Sequence, residues 1–193
     1  MPTLGISGGI ASGKSSLAKY LVERWRADHF DADVVARQFL ECDAEVRSLV
    51  LNQVSSLAYK ADGTPDRERL RDVIFGDTTA KEALEAILHP RVRARWMAAI
   101  GDPIYAQRLL VVEIPLLFET QAQNVFSRVV VVACSRETQL ARLAIRGLMP
   151  SLASRMIDSQ MPTSQKIALA RHVVWNDGDE ENLHAQAEEL ADL

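Results

Sequence analysis

Residues Gly8-Gly9-Ile10-Ala11-Ser12-Gly13-Lys14-Ser15 occupy every fixed position of the pattern G-x-x-x-x-G-K-[ST]. The flanks are as constrained as the pattern itself. Leu4-Gly5-Ile6 reads as a short buried strand, and Ser16 to Trp25 as a helix that turns Leu17, Tyr20, Leu21 and Val22 towards a core. A glycine-rich turn between strand and helix lets successive backbone N–H groups converge on a phosphate, and the helix N-terminus adds positive potential. In that geometry the backbone and side chains of Gly9, Ile10, Ala11, Ser12, Gly13, Lys14, Ser15 and Ser16 surround a nucleoside triphosphate. Lys14 reaches the outer phosphates and the Ser15 hydroxyl binds Mg2+. A structural glycine turn beside a surface lysine leaves the strand–loop–helix order unexplained.

The rest of the chain continues this architecture. Leu109 to Val112 and Val129 to Ala133 are unbroken apolar runs, as expected of parallel strands covered on both faces. His29-Phe30-Asp31 and His172 to Trp175 supply two further short strands. From about 43 to 103, roughly sixty residues pass without a convincing strand. Val34 to Leu40, Asp43 to Leu57, Arg67 to Phe75, Thr79 to Leu88 and Val92 to Ile100 read as helices, with turn chemistry at Lys60 to Pro65 and a break at His89-Pro90. Further helices are expected over Glu137 to Arg146, around Leu152 to Ser159, and over Ser164 to Ala170. The reading is one domain: a core of about 1–42 and 104–193, a helical insertion of about 43–103, and a lid of about 142–163.

With 193 residues the chain can bury a sizeable core, and its net charge of −4 carries no basic footprint for nucleic acid. The two cysteines lack metal-ligand or C-x-x-C spacing, and no apolar run approaches a membrane span. A cytoplasmic enzyme acting as a monomer is expected, without nucleic-acid or membrane partners.

Asp31 and Asp33 lie at the carboxyl end of the second strand, the edge where open α/β sheets place ligands. Asp31 reads best as a helix cap. Asp33 is placed to orient an attacking hydroxyl and to approach the metal; an ordinary carboxylate is a weak base for a ribose hydroxyl, so orientation outweighs early proton removal. Glu113 ends a strand where an acid can stand near Mg2+, although a surface carboxylate fits the sequence as well. Leu116, Leu117 and Phe118, which follow it, suit either core or the apolar floor of an acceptor site. Arg142 and Arg146 are four apart on one helix, which lets a lid bring them to the transferring phosphates; the alternative is a solvated basic face. Arg67 and its neighbours put positive charge on the inserted helices for an anionic acceptor, and His89 is a further candidate donor there.

Taken together, these segments resemble the dephospho-coenzyme A kinase family. The resemblance runs through Gly8 to Ser15, Asp31-Ala32-Asp33-Val34-Val35-Ala36-Arg37, Asp66-Arg67, Leu88-His89-Pro90-Arg91-Val92, Pro115-Leu116-Leu117-Phe118-Glu119, Thr138-Gln139-Leu140, Arg142-Leu143, Arg155, Gln160-Met161-Pro162 and Asn176-Asp177-Gly178. It implies a three-layer α/β fold like the P-loop nucleoside triphosphate hydrolases, with a five-stranded parallel sheet, a helical acceptor insertion and a helical lid. It also implies ATP and dephospho-coenzyme A as substrates, Mg2+ as cofactor, Asp33 nearest the acceptor hydroxyl, and Asn176 at the ATP site, with the segment after it near adenine. Ala11 stands where that family commonly has Gly, which leads to the expectation that its φ is not positive. Ser16 and His172 are further departures.

Overall fold

The computed structural model describes residues 2–105 and 108–190. They fall into two compact units, 1–31 with 99–193, and 32–98.

The first unit is built on a parallel sheet of five strands: β1 (Thr3–Gly8), β2 (Asp28–Asp31), β3 (Leu110–Glu113), β4 (Arg128–Ala133) and β5 (His172–Trp175), in the order β2-β3-β1-β4-β5. Burial follows position in the sheet. All residues of central β1 and β3 are buried, whereas edge strands β2 and β5 expose much of their length. Alternation along the strands then sorts side chains by face. Leu4, Ile6, Val111, Val130, Val132 and Val174 pack with Leu17, Ala18 and Leu21 of α1 (Lys14–Trp25) and with Leu183 and Ala187 of the last helix, Glu180–Glu189. On the opposite face a Cβ on Gly5 would meet Leu117 and Phe126 at 3.0 Å, so the segment after β3 lies directly on β1.

α1 ends at Arg26 in a left-handed conformation, φ 51°, without a glycine. Its carbonyl is held by the Arg108 guanidinium at 2.7 and 3.1 Å, and Arg108 also pairs with Asp28 at 3.2 Å.

The second unit is helical: α2 (Ala32–Cys42), α3 (Ala44–Gln53), α4 (Arg67–Gly76) and most of α5 (Thr78–Gly101). Val46, Val50, Ala58, Leu70, Leu84, Ile87 and Leu88 form its core. Asp43 and Asp66 cap α3 and α4 by accepting from Val46 N at 3.0 Å and Arg69 N at 3.1 Å. The Lys60–Pro65 turn places Gly63 at φ 86°, with its N–H on the Lys60 carbonyl. The unit begins with α2, earlier than the insertion read from the sequence.

One boundary differs in kind. α5 runs without interruption through Pro90, where the sequence predicted two helices. Proline removes one helical donor and crowds the carbonyl four residues back. Buried Leu84, Ile87 and Leu88 before it, and Val92 and Trp96 after it, hold both halves. Arg91 adds a side-chain donor, giving the Ile87 carbonyl a bond of 2.9 Å beside the gap.

The remaining helices belong to the first unit: α6 (Arg136–Ile145), α7 (Pro150–Asp158), α8 (Thr163–Leu169) and α9 (Glu180–Glu189). α6 closes in a Schellman motif. Leu148 N donates to Leu143 O at 3.1 Å and Gly147 N to Ala144 O at 2.9 Å, with Gly147 at φ 79°.

Candidate active site

β1 ends at Gly8 and α1 begins at Lys14, so the glycine-rich segment is the turn between them. Both fixed glycines of the pattern have a structural reason. Gly8 (φ 151°) lies against β4 so closely that a Cβ would sit 2.2 Å from the Val132 carbonyl. Gly13 (φ 100°) is the N-cap of α1, and a Cβ there would collide with the Asn176 amide at 2.0 Å. No side chain caps α1 and no acidic residue stands in its first turn. An uncapped helix start of this kind attracts an anion.

Lys14 is buried, and its ammonium folds back across the loop to donate to Gly9 O at 2.9 Å. Ser15 Oγ donates to Glu113 Oε1 at 2.8 Å. Glu113, only 3% exposed, ends β3 level with Ile6 of β1 and Asp31 of β2. The surface-carboxylate alternative for Glu113 is therefore excluded. His29 Nε2 lies 3.9 Å from the other Glu113 oxygen, and burial holds the imidazole below its ordinary pKa against an upward pull from Asp31.

Ala11 takes φ 57°, against the expectation of a negative φ at this position. Such a conformation costs a non-glycine residue about 1–2 kcal/mol. The methyl group is buried in a cluster with Leu143 and Ala153, with Ile10, Leu140, Leu148 and Ile157 packed against it. Arg142 Nη1 donates to Ala11 O and Ser12 O, both at 3.2 Å, and its Nη2 to Asn176 O at 2.9 Å. Asn176 is buried and gives its side-chain amide to Ser12 O at 2.8 Å.

The structure thus brings Lys14, Ser15, Glu113, Arg142 and Asn176 together around the loop. Ser16 lies exposed in the first turn of α1. Arg146 is the exposed C-cap of α6. Leu117 is fully buried and Phe118 nearly so, while Leu116 keeps a partly exposed surface. Asp33, Arg67 and His89 belong to the helical unit. Asp33 is exposed in the first turn of α2, Arg67 is exposed and paired with Glu41, and His89 is half-buried in α5.

Sequence reasoning assigned no role to Gln139, Gln160, Glu119 or Lys166. Gln139 Nε2 donates to Ile10 O at 2.7 Å, and Ile10 N donates to Gln160 Oε1 at 2.9 Å. Lys166 is wholly buried in α8, with its ammonium on Pro115 O at 2.7 Å and Glu119 Oε1 at 2.9 Å. The positions of Gln139 and Gln160 within the recurring segments were the available clue. Lys166 offered none. Behind the loop, Cys134 is buried, which pushes its thiol pKa up despite the opposing pull of Arg142 and Lys14. Asp177 fastens α6 to the end of β5 by accepting from Ser135 N at 2.9 Å and Trp175 Nε1 at 3.0 Å. Hydrogen bonds, that of Thr138 foremost, hold its carboxyl below the usual range.

Residues 2–182 match the sequence pattern of the dephospho-CoA kinase family. The chain belongs to that family. As a dephospho-CoA kinase it is an ATP-dependent phosphotransferase of the final step in coenzyme A biosynthesis. The dephospho-CoA kinase of Thermosynechococcus vestitus is 37% identical over 191 residues, spanning 98% of this chain and 93% of its own. That of Xanthomonas campestris pv. campestris is 39% identical over 194 residues, spanning 97% and 90%. Among solved structures, TT1252 from Thermus thermophilus superposes with a TM-score of 0.77 at 31% identity, covering 100% of this chain and 97% of its own. Among the described residues of the kinase, no helix is long and apolar enough to cross a membrane.

Proposed function

We propose that the kinase moves the γ-phosphate of ATP in line to the ribose 3′-hydroxyl of dephospho-CoA, with the work divided as follows. The observation that carries this reading is the Ser15 hydroxyl donating at 2.8 Å to the buried Glu113 carboxylate, beside Lys14 at the uncapped start of α1. Backbone amides of the loop and of the first turn of α1 cradle the β- and γ-phosphates. Lys14 exchanges its contact with Gly9 O for the outer phosphate oxygens, where a fixed cation meets charge that spreads during transfer. Arg142 holds three carbonyls of the loop and of Asn176, so it shapes the cradle while adding positive charge next to it. Arg146, on the lid side of α6, approaches the transferring group when both substrates are bound.

A serine hydroxyl next to a buried carboxylate is a hard oxygen donor set, which fits Mg2+. Among the described residues there is no cluster of three or more His, Cys, Asp or Glu to cage a metal by itself. That suits a cation that takes few protein ligands and completes its shell with water and substrate phosphate. Ser15 would hold it directly, and Glu113 would orient Ser15 and a metal-bound water. Held there, Mg2+ would supply positive charge that offsets that of the phosphates.

Asp33 is assigned to the acceptor hydroxyl. In sequence it follows by two residues Asp31, the end of β2, which stands level with Glu113. Its role is to align the hydroxyl, since positioning supplies most of the acceleration in phosphoryl transfer. Arg67 and His89 are assigned to the acceptor's anionic groups. The test is incubation with Mg-ATP and dephospho-CoA, with the product identified by mass, alongside Asp33→Asn. The expected outcome is coenzyme A from the parent and a turnover lower by about two orders of magnitude in the variant, with ATP affinity retained. Turnover within a few-fold of the parent would reduce Asp33 to a residue of the α2 first turn.

A further inference from the structure

The backbone N–H and C=O of a single residue in the phosphate loop, which lie in two successive peptide groups, are gripped by side chains from two other segments. The Ile10 carbonyl accepts from Gln139 of α6 at 2.7 Å, and the Ile10 amide donates to Gln160, beyond α7, at 2.9 Å. Gly9 makes room for this grip, since a Cβ there would stand 2.5 Å from the Gln139 amide nitrogen. The segment carrying Gln160 is itself anchored. Met161 N donates at 3.1 Å to Glu119 Oε1, the oxygen that also pairs with the fully buried Lys166. Lys166 in turn donates to Pro115 O, which also accepts from Ser7 Oγ of β1 at 3.2 Å. The residue after the gripped Ile10 is Ala11, at φ 57°.

We infer that Gln139 and Gln160 are positioning residues that hold the phosphate loop in its ATP-receptive shape against the backbone strain at Ala11. The Lys166–Glu119 pair fixes the segment from which Gln160 reaches. This rests on the reading of the loop as the ATP cradle. A strained conformation persists only where its surroundings over-determine it. With both peptide groups of Ile10 released, Ala11 relaxes towards negative φ, the flanking peptides rotate, and their amides no longer converge. ATP must then select a minor conformation, and its apparent affinity falls by the fraction that remains competent. Chemistry in the fully bound complex is unaffected by that selection, so the loss belongs to ATP binding. Glycine at position 11 has no such strain and retains the left-handed conformation without the grip.

The experiment measures ATP affinity by titration calorimetry without acceptor, and steady-state kinetics with dephospho-CoA. The full chain is used with Gln139→Ala and Gln160→Ala, each with and without Ala11→Gly, and thermal melts confirm folding. The expected result is ATP affinity lower by about tenfold in each glutamine variant, with kcat at saturating ATP and the acceptor KM within about twofold of the parent. Adding Ala11→Gly should recover at least about threefold of the lost affinity, which a merely structural contact would not do. ATP affinity within twofold of the parent in both glutamine variants overturns the inference, as does a loss that glycine leaves undiminished or one that appears in the acceptor KM. Lys14→Ala is run in the same titration. If it binds ATP as tightly as the parent, the reading of the loop as the cradle fails, and the inference falls with it.

Discussion

At the scale of single residues, the proposed site combines side chains assigned to phosphate with side chains that shape the backbone around them. Lys14 is of the first kind. Its ammonium is already desolvated and needs only to trade one carbonyl for phosphate oxygens. Lys14→Ala should lower turnover by two or more orders of magnitude, roughly 3 kcal/mol, while the melting temperature stays near that of the parent, because no apolar core contact is lost. Near-normal turnover with a native melt would remove Lys14 from the mechanism. Lys14, Ser15 and Glu113 were legible in the sequence because each is tied to a local covalent pattern: two sit in a fixed loop, and one follows a four-residue apolar strand. Asn176, Gln139 and Lys166 act through the folded arrangement. The Asn176 side chain fills the space that Gly13 leaves, over a separation that spacing alone does not reveal. Ala11 was misread for a related reason. A rule about φ concerns the isolated residue, whereas the grip of Arg142, Gln139 and Gln160 is tertiary.

At the scale of elements, strands were easier to read than helix boundaries. Parallel strands covered on both faces show as unbroken valine runs, and β3 and β4 lie within a residue of where those runs stand. α5 shows where such reading stops, because a proline that ends an isolated helix is tolerated when apolar residues on both sides are buried. The turn from α6 towards α7 tests the opposite case, a break that local chemistry does set. Gly147 occupies the left-handed position of the Schellman motif, and a Cβ there would meet nothing within 4 Å. Gly147→Ala therefore adds backbone strain without a steric clash, and should destabilise the protein by about 1–2 kcal/mol. That corresponds to a melting temperature lower by roughly 2–8 °C for a chain of this size. An unchanged or higher melt would show that α6 can end without a left-handed residue at this point.

At the scale of the whole molecule, the division into a sheet unit and a helical unit separates two kinds of binding. The sheet unit carries the loop, Lys14, Ser15 and Glu113, the residues assigned to the triphosphate under the proposed mechanism. The helical unit supplies discrimination under the proposed mechanism, and its arginines are not equivalent. Arg67 and Arg91 are paired with Glu41 and Glu45, and Arg93 lies over Trp96 at 5.5 Å, whereas Arg69 and Arg95 are exposed. An acceptor that carries a pyrophosphate can draw on such groups, and binding energy gathered there aligns a distant hydroxyl for transfer. Adenosine has the same 3′-hydroxyl without the pyrophosphate. Dephospho-CoA should therefore exceed adenosine in kcat/KM by at least about two orders of magnitude, with part of the difference in kcat, because remote binding energy is used in positioning. Arg67→Ala, at the arginine assigned to the acceptor's anionic groups, should lower kcat/KM for dephospho-CoA and leave that for adenosine unchanged, narrowing the gap. Equal specificity constants in the parent, or phosphorylation of adenosine at its 5′ position, would mean that the remote part of the acceptor contributes nothing and that the helical unit selects a nucleoside.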